Sequence, residues 1–157
     1  MKKEREDSYM NLEVSEIPPV VEGIFTMPPY DDAPPALIGG YCPTCKQYYF
    51  PRPKYCRCCL NAPEQVRLGR EGSIYSYTVI RVKPPQGLPS PYSVGYIDLK
   101  ENGLRIFCLL DPAEVDALKI GMPVSLRVAP LGLGADGSPR LRPYFTPAKQ
   151  VSDGMEE

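Results

Sequence analysis

The chain has 157 residues, a net charge of −1, 43% hydrophobic content and no histidine. The missing histidine excludes Ser-His and Cys-His catalysis carried within this chain, and it excludes mixed Cys/His zinc sites. Twenty prolines, well above the usual roughly 5%, remove backbone donors and disfavour long helices, so short strands, turns and extended arms are expected.

The first residues, "MKKEREDSYM", are charged and helix-compatible, without the apolar run of a signal peptide. No stretch approaches the roughly 18 apolar residues that cross a bilayer, so a cytoplasmic protein of a reducing compartment is expected. The segment "EIPPVVEGIFTMPPYDDAPP" follows, completing an N-terminal proline-rich arm over 1–38. Its proline pairs at 18–19, 28–29 and 34–35 forbid a packed helix or a central strand. A disordered leader is one reading of it. The preferred one is an extended arm whose apolar Val20, Val21, Ile24, Phe25 and Met27 become ordered on another surface. Residues 17–30 are expected on a partner or at the junction of the next two regions, leaving barrel folding independent of the arm.

Residues 39–65 hold two C-x-x-C pairs, Cys42/Cys45 and Cys56/Cys59, ten residues apart. Each pair suits a tight knuckle aiming two thiolates at one ion, and "KQYYFPRPKY" between them can fold back as a short hairpin. Four convergent thiolates point to a rubredoxin-like ribbon with one structural zinc per chain. Iron would accept the same ligands, although nothing here suggests electron transfer, and a reducing compartment disfavours disulfides. The equal spacing leaves Cys58 as a bystander. Four thiolates around zinc carry a net charge of about −2, so Lys46, Arg52, Lys54 and Arg57 can be plain electrostatic neighbours of the site.

Residues 66–146 read as a five-stranded barrel, with a polar C-terminal tail over 147–157. "GSIYSYTVIRV" (72–82), "YSVGYIDL" (92–99) and "LRIFCLL" (104–110) are strands, the last two joined through the Asn-Gly turn of "KENG". Cys108 shares a strand face with Leu104, Ile106 and Leu110 and is expected as a small core residue. Asp111, Pro112 and Glu114 form a capping-box start to one short helix of about two turns, which Gly121 ends. "PVSLRVAPL" (123–131) turns Val124, Leu126 and Val128 inward, and "LRPYF" (141–145) is the final strand. Three strands, a helix and two strands is the order of an OB-fold. Tyr75 and Tyr77 suit either base stacking or, more commonly, packing.

Charge is unevenly spread. From Lys46 to Lys83 eight basic residues face two acidic ones, a local +6 against −7 elsewhere. A nucleic-acid binder is the alternative this raises, but such domains are normally basic overall. A patch that meets a few phosphates fits better.

"LIGGYCPTCKQYYFPRPKYCRCC", "GREGSIYSYTVIRVKPP", "PYSVGYIDL" and "LKIGMPVSL" resemble, in order over 37–146, the zinc-ribbon/OB-fold proteins that accompany thiolases and other acyl-CoA enzymes. Within that family the chain is most similar to small subunits of two-subunit thiolases that cleave benzoylsuccinyl-CoA during anaerobic toluene degradation. The resemblance implies a non-catalytic accessory subunit beside a thiolase-fold catalytic subunit, with Cys42, Cys45, Cys56 and Cys59 as zinc ligands. It also implies CoA or acyl-CoA at the shared interface, with Arg52, Lys54, Arg67 and Arg70 as candidates for its phosphates. A hydratase-type or aldolase-type partner is the alternative. The chain departs from the family in three ways. Arginine and the second proline of an F-P-P-R stretch are exchanged at Phe50 to Pro53, Lys46 and Leu60 replace the glycine after each knuckle, and the arm differs from the common helical leader.

Overall fold

The computed structural model describes residues 13–30 and 33–148. The charged start at 1–12 and most of the polar tail, 149–157, lie outside the described residues. Strands β1 (Ile38–Cys42), β2 (Gln47–Tyr49) and β3 (Glu64–Arg67) form an antiparallel sheet in the order β2-β1-β3. Strand β1 is therefore central, and its backbone runs close to both neighbours. A Cβ on Gly39 would stand 2.5 Å from the Tyr49 carbonyl oxygen, so only glycine fits there.

Strands β4 (Glu71–Ile80), β5 (Tyr92–Leu99), β6 (Arg105–Leu110), β7 (Pro123–Leu133) and β8 (Pro139–Pro147) close a barrel in the order β4-β5-β6-β8-β7. Among the barrel strands the parallel pairing joins β6 to β8, and β4 pairs with β7 to complete the circuit, as in an OB-fold. The fold is thus mainly β, a ribbon sheet followed by a five-stranded OB barrel. Alternation along the strands supplies the core: Ile74, Ile97, Ile106, Leu110, Val124, Leu126, Leu141 and Phe145 are all 3% exposed or less.

A bulge in β4 decides what the two tyrosines do. The pairing with β5 shifts between Ile74 and Ser76, so Tyr75 is the extra residue and the faces behind it change over. Strict alternation would put Tyr75 and Tyr77 together. Instead Tyr77 packs against the core and its hydroxyl donates to the Leu118 carbonyl at 2.9 Å, while Tyr75 stays 51% exposed. Packing is the role of one tyrosine only.

The short helix between β6 and β7 is 3-10, not α. It spans Pro112–Ala117 and kinks at Glu114, whose φ of −115° is outside the helical range. The Asp111 carboxylate does cap it, accepting from the Ala113 N–H at 2.9 Å. The chain leaves the helix at Leu118, which is extended (φ −70°, ψ 138°), and turns at Gly121 with φ +85° before β7.

The proline-rich segment lies on the body of the protein. Pro18 and Pro19 have no N–H to give, so the Leu141 N–H donates to the Pro18 carbonyl and Val20 supplies the first donor, to the Leu141 carbonyl, both at 2.9 Å. Thr26 and Ile38 then bond across to Ala36 and Ile24, placing Phe25 opposite Leu37. Ile17 and Phe25 are buried in the same apolar cluster as the barrel residues. The segment reaches the ribbon–barrel junction, as one of the two expected placements had it, but as part of the core. This burial runs against the expectation that the barrel folds independently of the segment.

Candidate functional site

The ribbon builds its two knuckles alike. Cys42 ends β1 and Cys45 closes the first turn; Cys56 and Cys59 repeat the arrangement after the hairpin. In each pair the first cysteine is buried and the second half-buried. The residue after each pair turns left-handed, Lys46 at φ +53° and Leu60 at φ +63°. These are the two positions where the resembling family carries glycine, so the backbone keeps the glycine conformation without the glycine. An L-residue there is disfavoured by about 1–2 kcal/mol.

The four Sγ atoms lie within 4.8 Å of one another, with Cys42 and Cys59 at 3.5 Å. A tetrahedral ion at about 2.3 Å from each sulfur separates the sulfurs by about 3.8 Å, so the donor set and spacing fit a four-thiolate metal. Cys58 is exposed and turned away, 3.8 Å from the Gln47 side-chain carbonyl. The Tyr49 hydroxyl lies 3.2 Å from Cys56 Sγ and accepts from the Arg57 N–H at 3.4 Å. That hydroxyl, with the backbone N–H groups of Cys59 and Cys58, holds the Cys56 thiol down to about 5, whereas burial and the other sulfurs push Cys45 well up. A divalent cation removes this conflict by favouring all four thiolates at once. Tyr49 is a residue that sequence spacing did not single out.

Of the four candidate phosphate ligands, the structure brings two together. Arg67 and Arg70 line an open groove of about 910 Å³ at the ribbon–barrel junction, joined by Lys100 and faced by Glu71 and Glu101. Arg70 donates to the Leu126 carbonyl at 3.2 Å, and its Nε is buried without a partner. Arg52 and Lys54 sit on the ribbon outside that lining. Arg52 donates to the Pro63 carbonyl at 2.9 Å, and the Lys54 ammonium stands 5.4 Å from the Tyr55 ring centre. Lys100 escaped the charge count because it lies beyond Lys83, in the β5–β6 turn. Cys108 is part-buried against the core, and burial pushes its thiol up to about 12.

A second cavity, about 190 Å³ and mostly apolar, lies where the N-terminal segment, ribbon and barrel meet, lined among others by Val20, Ile24, Phe50, Phe107 and Leu109. Among the described residues no helix is long and apolar enough to cross a membrane.

A four-thiol ribbon in front of an OB barrel defines the class by its architecture, and the sequence relatives narrow it. The profile of the ChsH2 C-terminal OB-fold domain matches residues 65–129. The benzoylsuccinyl-CoA thiolase subunit BbsA of Geobacter metallireducens is 36% identical over 111 residues, 71% of this chain and 74% of that protein. Its counterpart in Thauera aromatica is 38% identical over 118 residues, covering 74% and 80%. Among solved structures, the Ltp2-ChsH2(DUF35) aldolase contains a chain matched with a TM-score of 0.58 at 28% identity, over 71% of this chain and 84% of that one. The chain belongs to the zinc-ribbon/OB-fold family of acyl-CoA-associated proteins.

Proposed function

We propose that this chain is the non-catalytic accessory subunit of a heteromeric acyl-CoA thiolase, required for assembly and for holding a CoA thioester where it meets a thiolase-fold catalytic subunit. The reaction we assign to that complex is cleavage of benzoylsuccinyl-CoA with CoA to benzoyl-CoA and succinyl-CoA. The observation that carries this reading is the pair of relatives named as subunits of that thiolase, aligned over about three quarters of their length. The residues agree with it. Thiolase chemistry needs a cysteine nucleophile activated by histidine, and this chain has no histidine.

In this reading Cys42, Cys45, Cys56 and Cys59 hold one zinc. Bound by four thiolates, zinc has no open position for substrate, so it supplies a cross-link and no catalysis. Arg67 and Arg70, helped by Lys100, receive CoA phosphates in the junction groove, where charge-assisted bonds from guanidinium are favoured. Arg52 and Lys54, on the ribbon and outside that groove's lining, serve the thiolate cluster electrostatically. An aldolase partner is the second reading, favoured by the structural match to the Ltp2-ChsH2(DUF35) aldolase.

Affinity purification of the tagged full chain from its own host tests the proposal. An acyl-CoA enzyme should co-elute, and the complex should convert benzoylsuccinyl-CoA and CoA to the two products on chromatography. Retro-aldol or hydration products instead would move the assignment to the second reading or to a hydratase. Absence of any acyl-CoA enzyme would overturn the accessory role.

A further inference from the structure

One exposed face of the barrel is not used by the metal centre or by the junction groove. Tyr96 and Phe107 are cross-strand partners on β5 and β6, with ring centres 5.3 Å apart and exposures of 45% and 59%. Two residues along the same strands, Asp98 faces Arg105. Arg105 donates to both carboxylate oxygens of Asp98, at 2.6 and 3.0 Å, and its guanidinium lies 3.3 Å from the centre of the bulged Tyr75 ring. Tyrosine, phenylalanine and arginine are the residues enriched at the cores of protein interfaces. Here they are also held in place beforehand, by the ring pair and by the bidentate ion pair, which lowers the ordering cost of docking.

We propose that this β4–β5–β6 face is the surface on which the catalytic acyl-CoA subunit docks, through an apolar patch of its own that carries little charge. This rests on the accessory-subunit reading. Two features select that occupant. The first is charge: among the described residues the one cation that contacts these aromatic rings, Arg105, is neutralised by Asp98. A single-stranded nucleic acid needs unpaired cations beside its stacking platform. The second is continuity. The face runs at its Asp98 end into a cleft shared with Glu71 and Lys100, which also border the Arg67–Arg70 groove. A subunit covering the face therefore reaches the position assigned to the CoA thioester. At the other end Phe107 and Leu109 form a wall of the small apolar cavity. That cavity, about 190 Å³, has the volume to take an inserted apolar side chain.

The test is a titration of the co-eluting catalytic subunit against the full chain and against Phe107→Arg and Tyr96→Ser, with zinc content and thermal unfolding of each variant measured alongside. Both side chains are on the outside, so both variants should fold and keep zinc as the unaltered chain does. Phe107→Arg should weaken binding by at least about 30-fold, the size of an interface hot spot, and Tyr96→Ser by about 10-fold or less. As a control for a folding defect, Phe107→Leu should retain most of the affinity. Unchanged binding in Phe107→Arg overturns the docking face while leaving the accessory role intact. Failure of the unaltered chain to bind any acyl-CoA enzyme overturns the role itself. Salt-dependent binding of oligo-dT that Phe107→Arg abolishes would show the face to be a nucleic-acid platform, and a homodimer dissolved by that variant would show it to be a self-association surface. Either result would overturn the proposal.

Discussion

The ribbon and the barrel are adjacent β structures stabilised by different physics. The barrel buries branched and aromatic side chains from all five strands, Phe145 and Leu141 among them at 0% exposure. The ribbon's most buried side chains are Cys42, Cys56 and Pro63, and its outer surface leaves Tyr55 54% and Leu60 72% exposed. A barrel of this kind is closed by apolar burial. A ribbon with so little to bury needs a cross-link, and four converging thiols provide the means for one.

The sharpest way to break that contrast is to remove a thiol. Cys42→Ala or Cys59→Ala should abolish metal binding, for which structural zinc supplies on the order of 10 kcal/mol of apparent free energy. Limited proteolysis should then cut within 39–65 while the barrel persists, and Cys58→Ser should leave metal content unchanged. Zinc retained in Cys42→Ala, or lost in Cys58→Ser, would refute the ligand set.

On the barrel side, Phe145→Ala should cost about 3–5 kcal/mol by cavity formation, read as a lower urea midpoint, with zinc content preserved. The proline-rich segment belongs with the barrel in this comparison. Phe25→Ala should cost about 3 kcal/mol, and deletion of residues 1–30 should lower barrel stability by at least as much. A deletion that left the unfolding midpoint unchanged would restore the idea of a passive leader.

Smaller effects refine the comparison. Replacing Lys46 or Leu60 by glycine should stabilise the ribbon by up to about 1 kcal/mol, because the left-handed turns then carry no Cβ. The test is the chelator concentration needed for half-release of zinc. Smaller still is the pH response of the Asp98–Arg105 pair. The hydrogen bonds from Arg105 hold the Asp98 carboxyl below its ordinary range. Its contribution is therefore present above the unfolded carboxylate pKa of about 4, and it is lost as pH falls through the lower folded value. Since both groups are largely exposed, the change in unfolding midpoint on acidification should be slight, and Asp98→Asn should remove it.

Much of this was legible in the chain itself. The C-x-x-C spacing indicated convergent thiols because a knuckle is a local structure, fixed by four or five residues and their turn. The positions of the barrel strands along the chain followed from β-branched runs and turn residues, which again act locally. The capping residues before Pro123 mark where the short helix starts and its length is the expected two turns or so, while its 3-10 type and the kink at Glu114 are not written in them.

Other features depended on residues distant in sequence. The proline-rich stretch looked like a detachable arm, since nothing within it tells that Phe25 meets Leu37 and that Ile17 enters the barrel's apolar cluster. Arg142 sits in a strand that reads as ordinary, yet it is 8% exposed, its guanidinium donating to the Leu131 and Leu133 carbonyls and the Gln86 side chain. One bulge at Tyr75 sends two alternating tyrosines to opposite faces. Sequence by itself determined the metal-ligand set it offers, the succession of strands along the chain and the lack of histidine chemistry, because these follow from residue identity and near neighbours. Tertiary structure decided which cations share a groove, which aromatics stay outside and what the N-terminal segment covers, because each depends on contacts between residues far apart in the chain.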